Sequence, residues 1–168
     1  MTNPIVQIPI IDLQTFVNGD ESERQAVVDR VYQACHEIGF LYIKNSGISS
    51  HLIQQLFMHS QHFFNLSFET KTQIAWLDES HNSGYVSIER ERLDPKQPGD
   101  LKEALNLNLK SINQHLEFRT EFRSCVVNFW EACVQVTNTV LQTFTLALQI
   151  PEDFFIANHN AQAHTLRL

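Results

Sequence analysis

The sequence has no long uncharged apolar run, no cluster of positive charge and no catalytic signature of a familiar kind. No uncharged stretch approaches the roughly 20 residues that a helical membrane span requires. The start, Met1-Thr2-Asn3-Pro4, lacks the charged opening and apolar run of a secretory signal. Both absences lead us to expect a soluble, cytoplasmic protein. Twelve basic residues face 19 acidic ones, for a net charge of -7. That balance excludes a general phosphate-backbone binder, which would cluster Lys and Arg. Neither a Gly-rich phosphate loop nor a basic-aromatic strip is present. Three cysteines, Cys35, Cys125 and Cys133, make neither an even disulfide framework nor a CxxC pair. Each falls on the apolar face of a helical pattern, so all three are expected to be buried thiols.

What is present is core material. The chain of 168 residues is 43% hydrophobic and holds twelve Phe, enough for one folded domain over residues 1–168. Gln7 to Leu13 reads as an edge strand, with β-branched residues and a Pro near its start. Asn18-Gly19-Asp20 marks a turn, with Asp20 or Ser22 as a helix cap. Val27, Val31, Ala34, Cys35 and Ile38 then recur at helical spacing, and Gly39 ends the pattern. Phe40 to Lys44 reads as a strand. Ser49 or Ser50 caps a second helix carrying Leu52, Ile53, Leu56, Phe57, Phe63 and Phe64. Ser67 caps a further short turn of helix, and Gly84 to Ile88 reads as a strand inside a polar, turn-rich stretch. The strongest periodicity runs from Phe122 through Val126, Phe129, Cys133, Val136, Val140 and Phe144 to Leu148. It predicts one long helix over 118–148, about 40 Å in length at 1.5 Å per residue. Pro151 opens a short helix. His164 to Leu168 alternates like a strand that stops at once, and a strand needs a neighbour. We therefore read 162–168 as the start of something whose partner strands are missing.

Eight histidines invite a search for metal ligands. A facial triad for non-haem iron needs two His and one carboxylate on one ion, with positions left open. An H-x-D or H-x-E on a strand supplies two of these on one face. No H-x-D occurs. The single H-x-E, His115-Leu116-Glu117, could nominally be completed by His159 or His164. It falls where the chain enters the long helix, however, and there positions i and i+2 point about 200° apart. Glu117 reads better as an acidic first-turn residue, and His115 as a surface or junction residue. His59 and His62 stand at i and i+3 on the second helix, with no third ligand evident. GxSxG, HExxH and GxxxxGK[ST] are all absent, and no Cys has an evident His partner. No catalytic residue and no metal ligand is assigned from these patterns.

The order of segments carries more information than any one site. Ile8-Pro9-Ile10-Ile11-Asp12-Leu13 comes first, followed by a helix that ends in Ala34-Cys35-His36-Glu37-Ile38-Gly39 and the run Phe40-Leu41-Tyr42-Ile43-Lys44-Asn45. Gly47-Ile48, Phe63-Phe64-Asn65-Leu66, Lys71, Gly84-Tyr85, Glu91 and Asp100-Leu101-Lys102-Glu103 follow in turn. This series resembles the N-terminal domain of the iron(II)- and 2-oxoglutarate-dependent oxygenases related to isopenicillin N synthase. The long helix and Leu166-Arg167-Leu168 match the stretch that enters the family's catalytic barrel.

The resemblance implies an α+β fold: a helix-rich N-terminal domain with a few short strands and one long helix, without most or all of the jelly-roll barrel. It implies a full-length parent that oxidises a small substrate using iron(II) and 2-oxoglutarate. The family's iron pair, distal His and R-x-S motif all lie beyond the equivalent of Leu168. The 168 residues alone are therefore expected to bind neither cofactor and to be inactive. The absent C-terminal jelly roll is the expected partner, with self-association through an exposed face of the long helix. By resemblance Asn82, Tyr85 and Ser87 are candidates to line the substrate entrance, although packing with a satisfied hydroxyl is the preferred reading of Tyr85. Arg167 is either a core-edge anchor or a substrate-side charge, and Lys102-Glu103 an exposed or structural pair. The rival reading is a stand-alone interaction domain that binds a partner through the long helix.

Overall fold

A computed structural model describes residues 7–76, 82–116, 119–159 and 163–168. In chain order the elements are β1 (Ile10–Asp12), α1 (Leu13–Asn18), α2 (Glu21–Gln33), β2 (Tyr42–Lys44), α3 (Ser50–Phe64) and α4 (Phe68–Thr72). Then come β3 (Gly84–Val86), β4 (Ala104–Leu107), α5 (Leu109–His115), α6 (Thr120–Ala147), α7 (Phe154–Asn158) and β5 (Leu166–Arg167). The chain divides into two compact units, Met1–Ile48 with Glu131–Asn160, and Ser49–Trp130 with Ala161–Leu168. Among the described residues no helix is long and apolar enough to cross a membrane.

The first unit is set by its caps. The Asp12 carboxylate accepts from Gln14 N–H at 3.1 Å and starts α1. Asp20 and Glu23 form a reciprocal capping box on α2, each accepting the other's backbone N–H at 2.9 Å, which satisfies two donors that the helix cannot. α2 passes into a wider π-helical turn, Ala34–Ile38, closed by Gly39 at φ 82°. β1 and β2 pair in parallel, Ile10 opposite Tyr42. Ile11, Phe16, Val27, Val28 and Val31 form the core, with Leu41, Phe144, Leu146 and Ala147 packed against it. Each of the five buried side chains contributes on the order of 1.5–3 kcal/mol.

In the second unit β4 is the centre of a three-stranded antiparallel sheet, paired with β3 on one side and β5 on the other. All four of its residues are buried. Ser49, Ser67 and Asn108 cap α3, α4 and α5. Phe63 lies 6.2 Å from the Tyr85 ring and 6.3 Å from Phe122, centroid to centroid, so α3, β3 and α6 meet on one aromatic cluster.

Several expectations change. β4 and α5 have no counterpart in the sequence reading, and β3 is shorter than Gly84 to Ile88. Cys35 is exposed, not buried. It sits in the π-helical turn, whose extra residue per turn shifts the phase of the apolar face. α7 starts at Phe154, after a turn in which Phe154 N–H donates to Pro151 O at 3.0 Å. β5 finds its neighbour within the chain, because β4 pairs with it and Leu105 and Leu168 exchange backbone hydrogen bonds of 3.0 Å. The long helix is described from Thr120, residue 118 lying outside the described residues. Its apolar residues are buried, as Phe122, Val126 and Trp130 are, or half-buried, as Phe129, Val136, Val140 and Phe144 are. Exposed apolar side chains cluster elsewhere, at Ile53, Phe57 and Met58 on α3 and at Phe40, Tyr42 and Ile43 around β2.

Two tests follow from these features. Titration with a thiol reagent should modify Cys35 first, with Cys125 protected until unfolding, since burial also pushes the Cys125 thiol pKa up. Equal rates at both would contradict this placement. Gly84 adopts φ 120°, and a Cβ there would lie 2.7 Å from Ile74 O. Gly84→Ala should therefore cost about 1–3 kcal/mol in urea unfolding.

Candidate functional site

Three polar groupings lie on and beside the sheet of the second unit. The first is built on Glu103, immediately before β4. Its Oε2 accepts from Lys71 Nζ at 2.7 Å and from the Tyr85 hydroxyl at 2.6 Å. Lys71, the single buried charged residue among those described, also donates to Phe64 O at 2.9 Å, the last residue of α3. Its Nζ stands 5.3 Å from the centre of the Tyr85 ring. Burial pushes the Glu103 carboxyl up, but the bonds from Lys71 and Tyr85 outweigh it and leave the pKa below its ordinary value. Burial, and then Glu103, push the Tyr85 phenol up. A carboxylate so engaged and a phenol so held are not a free base and acid near neutral pH. The cluster ties α4, β3 and the entry to β4 together.

The second grouping surrounds Asn106 in β4, which is 1% exposed. Its Nδ2 donates to Asn82 Oδ1 at 3.0 Å, while its own Oδ1 is buried with no partner. Next to Asn82, Ser83 Oγ lies 3.1 Å from His115 Nε2. Burial lowers the pKa of that histidine. In the third grouping Glu91 accepts ion pairs from Arg167 and, at 3.3 Å, from Lys102, which also reaches Asp100 at 3.0 Å. Arg167 first, with Lys102 assisting against burial, holds the Glu91 carboxyl below the usual range. The intervening loop is closed by its own backbone, Glu89 N–H donating to Asp100 O at 2.9 Å and Asp100 N–H to Glu91 O at 2.8 Å.

Beside Arg167 opens an apolar groove of about 850 Å³. Ile53, Phe57 and Phe64 of α3, Phe129 of α6, and Leu166 and Leu168 line it.

The four candidate lining residues are thus placed as follows. Asn82 is exposed at φ 37° and bonded to Asn106. Arg167 stands opposite Asn106 in the β4–β5 register and on the rim of the groove. Asn106 thus neighbours both, bonded to Asn82 by its side chain and paired with Arg167 in the strand register. Tyr85 is 3% exposed and turned to Glu103. Ser87 is half-buried, its carbonyl accepting from Arg90 N–H at 3.1 Å. Glu103 pairs with Lys71 and Tyr85 and not with its neighbour Lys102. Asn106, Lys71 and Glu91 were not singled out for these contacts. A polar residue inside the run Ala104-Leu105-Asn106-Leu107 was the one signal that could have marked Asn106.

Among the described residues no three His, Cys, Asp or Glu could hold a metal ion. His59 stacks on Phe122 at 5.7 Å, and His164 lies 6.1 Å from Trp130. Glu117, the carboxylate of the H-x-E, lies outside the described residues. The described residues do not fit an iron site.

The Glu103 cluster makes a pH prediction. A carboxyl whose folded pKa is lowered stabilises the fold above its unfolded value, roughly 4.3, and loses that contribution as pH falls through the folded pKa. Urea stability should decline below about pH 4.5, and Glu103→Gln should flatten that decline. Lys71→Ala should cost about 1–3 kcal/mol at neutral pH by leaving the carboxylate half-satisfied. An unchanged acid profile in Glu103→Gln would contradict the assignment.

The chain resembles known proteins over most of its length. The family model described as non-haem dioxygenase in morphine synthesis N-terminal matches residues 8–132. A 1-aminocyclopropane-1-carboxylate oxidase of Dictyostelium discoideum is 27% identical over 176 residues, covering 92% of this chain and 46% of the relative. A 2-oxoglutarate-Fe(II) type oxidoreductase of Metarhizium rileyi is 25% identical over 174 residues, covering 89% and 46%. The chain spans about half the length of the curated relatives it matches. Among solved structures, a full-length Neurospora crassa protein in complex with alpha-KG superposes with a TM-score of 0.82 at 24% identity, covering 95% of this chain and 53% of that one. The rice dioxygenase for auxin oxidation gives 0.67 at 19% identity, covering 86% and 46%. Both are likenesses of fold. Matched over most of its length by the family model, the chain belongs to the non-haem dioxygenase N-terminal family.

Proposed function

We propose that this chain is the N-terminal part of an iron(II)- and 2-oxoglutarate-dependent oxygenase that oxidises a small molecule. The observation that carries the reading is the family match over residues 8–132. Its relatives include enzymes named as 2-oxoglutarate-Fe(II) oxidoreductases, of which this chain spans about half. Iron, 2-oxoglutarate and the jelly roll belong, on this reading, to polypeptide outside these 168 residues, and the chain alone is inactive. A cytoplasmic location belongs to the same reading and suits three free thiols.

Within the chain, Asn82, Ser87 and Arg167 are the residues we place at the substrate entrance. Asn82 and Arg167 have the stronger support, since both adjoin Asn106 and Arg167 borders the apolar groove. Tyr85 serves the entrance indirectly, by holding β3 through Glu103. A stand-alone interaction domain that docks through its long helix draws no support from apolar helix residues that are buried or half-buried.

The test is 2-oxoglutarate decarboxylation, followed as succinate release with iron(II) and ascorbate present. The 168-residue chain should give none above the iron blank. Succinate release by the chain alone, proportional to its concentration, would overturn the inactivity of this part.

A further inference from the structure

Within the second unit, α3 presents a second face. Ile53, Phe57 and Phe64 of the apolar groove stand within about 40° of one another at roughly 100° per residue. His59 and His62 point roughly 120–180° away from Ile53. There a separate cleft of about 410 Å³ opens between α3 and the start of α6. His59, His62 and Phe63 line one side of it, and Arg119, Glu121 and Phe122 the other.

Aromatic rings, not carboxylates, hold the cationic and imidazole groups of this cleft. His59 stacks on Phe122 with centroids 5.7 Å apart and rings 20° from parallel. The Arg119 guanidinium lies 5.8 Å from the centre of the Phe63 ring, and Phe63 in turn is 6.3 Å from Phe122. One chain of contacts thus runs across the cleft. The side chains of His59, His62 and Arg119 have no hydrogen bond or ion pair among the described residues. Elsewhere in this acidic chain Lys44, Lys71, Lys102 and Arg167 each find a carboxylate. A guanidinium seated against a ring keeps its planar fork of donors for an oxyanion. An imidazole adds an N–H donor whether or not it is charged. Phe63 and Phe122 are buried and make the floor apolar, which strengthens a charged contact above it.

We propose that this cleft binds a phosphomonoester of a small organic molecule. Arg119, His59 and His62 hold the phosphate, and the organic group fills the remaining volume over the apolar floor. At about 410 Å³ the cleft falls in the range of small-molecule sites, roughly 300–1,000 Å³, and exceeds what a bare phosphate fills. Glu121, exposed on the rim, is the acidic group among the described lining residues, and its charge opposes the anion. The site stands apart from the oxygenase reading and requires neither iron nor 2-oxoglutarate.

The probe is phenyl phosphate, titrated into the 168-residue chain with the side-chain NMR signals of His59, His62 and Arg119 as the readout. Saturable shifts of all three are expected. Arg119→Met keeps an apolar contact with Phe63 and should weaken binding about tenfold by removing the charged fork. His62 and Glu121 are exposed, so replacing either leaves folding intact. His62→Ala should weaken binding about threefold, and Glu121→Gln should tighten it by removing the opposing charge. Phenol in place of phenyl phosphate should not saturate. No saturation by phenyl phosphate, saturation by phenol, or an affinity unchanged in all three variants would overturn anion recognition at this cleft. Inorganic phosphate binding as tightly as phenyl phosphate would overturn the organic ester as the ligand. Shifts confined to Ile53, Phe57 and Arg167 would move the ligand to the groove and overturn the assignment.

Discussion

Much of the second unit depends on one carboxylate. Glu103 accepts from Lys71, which arrives from α4, and from Tyr85 on β3, while its own backbone leads directly into β4. Lys71 spends another donor on the end of α3. Removing any one of the three leaves a buried or half-buried polar group without its partner, which costs more than the bond itself contributes. With β4 fixed, β3 and β5 have an edge each to pair with, and Asn106 comes to lie between Asn82 and Arg167.

The local parts of this fold were legible in the sequence because they obey local rules. Asp20, Ser49 and Ser67 cap helices where their side chains can accept orphan N–H groups. Gly39 ends its helix in the left-handed region that an L side chain avoids. What escaped was non-local. β4 is only four residues long and is buried on both faces, so it has no polar alternation to betray it. α5 is held by Asn108 with Ser111, a capping pair without the usual acidic third residue. Cys35 was misplaced because a π-helical turn alters the phase on which its burial was inferred.

The same division holds at the candidate site. Tyr85 and Arg167 could be named from segment order, but their partners could not. Lys71 and Glu103 stand 32 residues apart, and Glu91 and Arg167 76 apart, and no spacing rule links such pairs. The family likewise came from the order of weak signals along the chain. Each motif alone was common; their succession over residues 8–132 was not.

On the proposed reading this chain is the scaffold half of an oxygenase, and its metal ligands come from polypeptide outside these 168 residues. Iron(II) titration under anaerobic conditions tests it most directly, comparing the folded 168-residue chain with the same chain fused to the C-terminal half of the Dictyostelium discoideum relative. No stoichiometric binding by the chain and one iron per molecule of the fusion are expected. One iron bound tightly by the chain alone would contradict it.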